Sequence, residues 1–165
     1  APLFAKYSSG NNPVNREAAA LIVILRYPVI QPYVPAGYGR EDSTATEIDS
    51  IRGNWWCVEN KADTNGLVYP NFLNETQTIA AGREKRQMIA LGESATMLTR
   101  RAVDFANKNP NHPSTPEILH LAVRSTRYGC KDDNTGRFSK QAFDILHKKY
   151  KTSPWTKNTP YWFGQ

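Results

Sequence analysis

Residues 101–165 read RAVDFANKNPNHPSTPEILHLAVRSTRYGCKDDNTGRFSKQAFDILHKKYKTSPWTKNTPYWFGQ, and one unit occurs in them twice. Ala102-Val103-Asp104-Phe105 aligns with Ala142-Phe143-Asp144-Ile145 and Lys108 with Lys148, about forty residues apart; Pro113 meets Pro154 after a one-residue shift. Each copy is an amphipathic helix, a proline-bearing turn and the start of a second apolar segment. A period of that size is a sign of stacked helical pairs. The expected fold is all-α, an α-solenoid of stacked pairs with long irregular loops rich in proline and aromatic residues. Residues 94–165 would hold two repeat-like units within a single helical domain of 1–165. The repeat identifies a scaffold and no reaction.

Within the first unit, Thr115 as N-cap, Pro116 at the first position and Glu117 in the first turn predict a helix that carries Ile118, Leu119, Ala122 and Val123. In the second unit a helix is expected from about Ser139, with Ala142, Phe143, Ile145 and Leu146 inward. Upstream, Ser94 would cap a helix carrying Met97, Leu98, Ala102, Val103 and Phe105. A further helix is expected from about Asn74 to Leu91, closed by Gly92. Asn12 and Pro13 open a helix predicted to reach about Tyr27. Between the two, Pro28, Pro32 and Pro35 break the pattern, a short helix is expected near 44–52, and Trp55-Trp56-Cys57 predicts a buried tryptophan beside the cysteine. No alternating strand pattern is found.

The chain has 165 residues, long enough to bury about 70% of its unfolded surface without a metal or dense disulfides. Its formal net charge is +6. That permits anionic partners, but the charges are scattered as on a solvated helix surface, which disfavours nucleic-acid binding. The apolar run Ala20-Leu21-Ile22-Val23-Ile24-Leu25 ends at Arg26 and Pro28, too short for a transmembrane segment. A first residue Ala1, with no signal-like run, reads as a processed chain or the C-terminal part of a longer one.

Glu117-Ile118-Leu119-His120 and Asp144-Ile145-Leu146-His147 each put an acid and a histidine on one helix face, the spacing of two-metal carboxylate sites. Such a site needs two more carboxylates, and only Glu84 and Glu93 offer themselves, outside any matching motif. Repeat geometry accounts for the spacing equally well, so no metal and no cofactor is expected. Residues 131–136 lack the alternating ligands of a calcium loop and read as a solvated turn. Asn74-Glu75-Thr76 matches a glycosylation acceptor but reads as an N-cap. No phosphate-cradling loop, nucleophile elbow or zinc-protease motif occurs.

The segment from Lys148 through Tyr150-Lys151-Thr152-Ser153-Pro154-Trp155 to Tyr161-Trp162-Phe163-Gly164 resembles the helix-turn-helix joint of tetratricopeptide repeats. The likeness is to those of bacterial envelope proteins in the Tol-Pal and outer-membrane-assembly groups. Lys151 stands where their joint has proline, and Thr159-Pro160 where a helix would continue, so the second helix is expected to be short or absent. Asn54-Trp55-Trp56-Cys57, residues 121–130 and the Pro-Tyr-Trp-Phe tail also look like the C-terminal region of uncharacterised secreted bacterial helical-repeat proteins. The resemblance implies a periplasmic or extracellular location and helical-repeat architecture. It brings no activity.

With export implied, Cys57 and Cys130 read as one long-range disulfide; two buried thiols are the alternative. Trp155, Tyr161, Trp162 and Phe163 are too apolar to be left in water. They are expected to fold back on residues 142–146 and cap the stack, the alternative being a groove on a neighbouring molecule. The function expected is non-enzymatic: interaction with a protein partner, or self-association, in the envelope. The alternative is an enzyme or binder acting on an anionic cell-wall polymer, with Glu117 as candidate acid.

Overall fold

In the computed structural model, residues 5, 7, 12–26, 72–127 and 131–162 are described, and the regular elements among them are all helices. They are α1 Pro13–Arg26, α2 Glu75–Ala90, α3 Ser94–Lys108, α4 Thr115–Ser125, α5 Thr135–Lys149 and α6 Pro154–Lys157. The fold is therefore all-α in this part of the chain. Among the described residues no helix is long and apolar enough to cross a membrane. Cys57, Cys130, the Trp55-Trp56 pair, the helix expected near 44–52, the proline-rich loop and Phe163 lie outside the described residues.

Local chemistry explains several helix ends. Asn12 Oδ1 accepts the Val14 amide at 2.8 Å, and Pro13 opens α1 where its missing N–H costs nothing. Asn74 and Gln77 form a reciprocal box before α2, each side-chain oxygen accepting the other's amide at 2.9 Å. Gly92, at φ +80°, makes the turn from α2 into α3; a Cβ there would meet nothing, so the demand for glycine is conformational.

Three expected starts are corrected. Ser94 does not cap α3: it is the first helical residue, Glu93 holds the cap position and no side chain caps the helix. Thr115 does not cap α4 either. It is helical, and its Oγ1 donates backwards to the Asn109 carbonyl at 2.8 Å. The last long helix begins at Thr135, four residues before Ser139. Asp132 Oδ1 accepts the Asn134 amide and Thr135 Oγ1 accepts the Asp132 amide, both at 2.8 Å, and this closed turn launches α5 early.

The repeat register is physical. Ala95, Thr99, Ala102 and Ala106 of α3 are all fully buried, and forty residues on, Thr135, Ser139, Ala142 and Leu146 of α5 are buried to 1% exposure or less. The spacing 4, 3, 4 is one face of a helix. Small residues dominate both stripes, so α3, α4 and α5 approach one another closely and pack mutually. Where hydroxyls face each other they pair: Thr96 Oγ1 lies 2.6 Å from Thr135 Oγ1.

The joints that follow the two stripes repeat as well, with the spacing now 41. The amides of His112 and Thr115 bond to the carbonyls of Asn109 and His112; those of Ser153 and Thr156 bond to Tyr150 and Ser153. Thr156 Oγ1 donates to the Tyr150 carbonyl at 2.6 Å, as Thr115 does to Asn109. The segment after the second joint is the single turn α6, which ends at Lys157 with Asn158 in the cap position.

α4 is the hub. It packs on α1, α3, α5 and α6, while α2 has no extensive packing on another described helix. Ile118, Leu119, Ala122 and Val123 of α4 are at most 1% exposed and meet Leu21, Ile22 and Leu25 of α1, Leu98 and Phe105 of α3 and Leu146 of α5 in one cluster. Each large aliphatic group in it contributes about 1.5–3 kcal/mol.

Candidate functional site

α4 turns its other face to α6 and the described residues that follow it. His120, Arg124 and Arg127 follow one another at i, i+4 and i+7, so the three lie along one side of the helix C-terminal half. α6 and the residues after it close over that side. Together His120, Arg124, Arg127, Asn158 and Thr159 line a half-open pocket of about 360 Å³.

Thr159 positions the site. It is 2% exposed, and its Oγ1 donates to the Trp155 carbonyl at 2.9 Å. A hydroxyl has one proton, so the 2.7 Å contact between Thr159 Oγ1 and His120 Nδ1 requires the imidazole to donate. His120 is thus the Nδ1–H tautomer, and its Nε2 carries a lone pair. The ring rests against the Trp155 indole, centroids 5.1 Å apart and planes at 36°. Burial first, then the positive charges of Arg124, Arg127 and Arg26, pull the imidazole down to about 4. At neutral pH it is uncharged.

The carbonyl of the same Thr159 lies 2.8 Å from His147 Nε2, which must be the donor there. Phe143 stacks on that ring at 4.0 Å. Both histidines of the two acid–histidine motifs therefore clasp one threonine. Their acids face elsewhere: Glu117 pairs with Arg26 of α1, and Asp144 with Lys140 Nζ at 2.5 Å. Glu84 is exposed on α2 and Glu93 buried before α3. No group of three or more His, Cys, Asp or Glu side chains that could hold a metal occurs among the described residues.

The tail aromatics divide. Trp155 and Trp162 are half-buried against the core cluster, and Trp162 Nε1 donates to Ser139 Oγ at 3.1 Å. Ser139 in turn faces Thr126 Oγ1 at 2.8 Å, and Thr126 donates to the Val123 carbonyl. The single proton on each hydroxyl fixes the direction of this relay, from indole through Ser139 and Thr126 to the backbone of α4. Tyr161 is 54% exposed; its carbonyl accepts from Arg127 at 3.4 Å, and the guanidinium lies 5.8 Å from its ring.

Sequence reasoning singled out Glu117 and His120 but not Arg124, Arg127, Asn158 or Thr159. The i, i+4, i+7 spacing of His120, Arg124 and Arg127 was the one available signal. Nothing local marks Thr159, whose role comes wholly from the return of the tail. No protein-family model, curated protein or solved structure matches the chain.

Proposed function

We propose that the chain is a non-enzymatic, tetratricopeptide-like helical-repeat protein of the bacterial periplasm or exterior, which mediates protein–protein interaction or assembly. The observation that carries the reading is the duplicated joint, in which Thr115 and Thr156 make the same backward hydrogen bond after matching buried stripes. α3 and α4 form the first pair, and α5 with the one-turn α6 forms a truncated second. Such arrays serve as rigid binding surfaces.

The side-chain chemistry also favours binding over catalysis. Glu117, the candidate acid, is held by Arg26, and among the described residues no carboxylate lines the pocket beside His120. An imidazole near 4 is a poor general base at neutral pH, where catalytic groups are tuned close to the working value. The two arginines in the pocket support a second reading, a binder of an anionic envelope polymer.

A photo-crosslinking residue in place of Arg124, an exposed position, tests both readings in the source cell. Adducts with a protein partner or with a second copy are expected. Adducts with polymer alone would favour the second reading, and their complete absence would sink both.

A further inference from the structure

We propose that the pocket formed by His120, Arg124, Arg127, Asn158 and Thr159 binds the phosphate group of a small phosphate monoester. The inference goes beyond the interaction reading and stands on the pocket alone.

Three observations carry it. First, the lining offers donors: two guanidinium groups and the Asn158 side-chain amide, with no carboxylate among the described lining residues. Guanidinium forks match the oxygens of phosphate and carboxylate alike. Second, the position of the His120 proton separates those two anions. Thr159 takes the Nδ1 proton, so Nε2 can only accept. A phosphate monoester, whose second ionisation falls near pH 6, is about half monoanion at that pH and there keeps an O–H. At that same pH sulfate has no proton to give and a carboxylate almost none. An acceptor beside two arginines therefore suits a hydrogen phosphate and leaves the other anions one contact short. Third, at about 360 Å³ the space lies at the lower end of the range for small-ligand pockets, about 300–1,000 Å³, which indicates a small molecule.

The arginines are held for this task differently. Arg127 is anchored by the Tyr161 carbonyl and ring, whereas Arg124 is exposed at the pocket rim. Removing the Arg124 charge should leave the fold intact and take one charged contact from the ligand.

The test is titration of the ¹⁵N-histidine-labelled chain with inorganic phosphate and with glycerol 3-phosphate, with sulfate and acetate as comparison anions, following His120 Nε2 by NMR at about pH 6, where the ring is still uncharged and the phosphate monoanion abundant. The two phosphates should saturate and move the Nε2 resonance towards its hydrogen-bonded position, while sulfate and acetate should bind roughly ten-fold more weakly or less. Arg124→Gln should weaken glycerol 3-phosphate by roughly ten-fold with unchanged circular dichroism. Equal affinity for all four anions would overturn the phosphate assignment. No shift at millimolar phosphate would overturn the site itself. The comparison of anions on the unaltered chain needs no variant to fold.

Discussion

The Tyr150 hydroxyl donates to the Pro110 carbonyl at 2.6 Å, so the second helical joint is bonded directly to the first. Burial raises this phenol above its ordinary value, and the proton it donates stays in place through the neutral range. Tyr150→Phe keeps the ring and loses the bond. The expected cost is about 1 kcal/mol, read as a lower urea midpoint with an unchanged slope.

Thr159 serves His120 with its hydroxyl and His147 with its carbonyl. Thr159→Val preserves shape and the second contact but leaves the His120 Nδ1–H without its acceptor. A loss of about 1–3 kcal/mol is expected, while Thr159→Ser should recover most of it. Chemical denaturation of both variants checks the difference; equal losses would mean that the methyl group, not the hydroxyl, matters.

Stability should fall in mild acid. The folded chain holds His120 near 4 against an unfolded value of 6.5, so between those values the unfolded chain binds more protons. The contribution is fully present above about pH 6.5, declines as pH drops towards 4, and is lost below that. Because the ring is only partly buried, the full linkage is discounted to about 2 kcal/mol. His112, lowered by burial, acts in the same direction. Denaturant midpoints taken from pH 7 to pH 4 measure the slope, and His120→Gln should flatten it.

Ala102 and Ala142 occupy matching places in the two stripes, each fully buried. Ala102→Leu and Ala142→Leu should each cost about 1–3 kcal/mol through overpacking, and by similar amounts. A large cost at one position and none at the other, by thermal or urea melting, would show that the match is confined to sequence.

Much of the helical layout was legible because its determinants are local. Asn12 and Pro13 open α1, Asn74 opens α2, and Gly92 closes the turn after it. The forty-residue alignment of Ala102 with Ala142 found the shared buried face, and the one-residue shift at the prolines is the change of spacing at the joints. Thr115 misled: it carries the signature of a cap, yet it bonds backwards into its joint. Thr135 does close its turn with Asp132, but it also pairs with Thr96 across a helix contact that no local signal announces. The candidate site was half legible. The acid–histidine spacing drew notice to His120 and His147, but their partner is Thr159, reached only when the tail folds back. A contact between residues 39 apart leaves no periodic trace in sequence.

The attachment of α1 to α4 has a bearing on the order of assembly. Arg26 meets Glu117 at a sequence separation of 91, and Asn15 meets His112 at 97. Contacts inside the block from α3 to α6 span far less, as with the 39 between Thr96 and Thr135. Closing the longer loop costs more chain entropy, by about 0.6 kcal/mol for each doubling. The block should therefore form early from near-neighbour contacts, with α1 arriving last onto a surface already built. The same helix should also leave before the block opens: its amides would exchange with solvent deuterium by a cheaper opening than those of α4, which every later contact depends on.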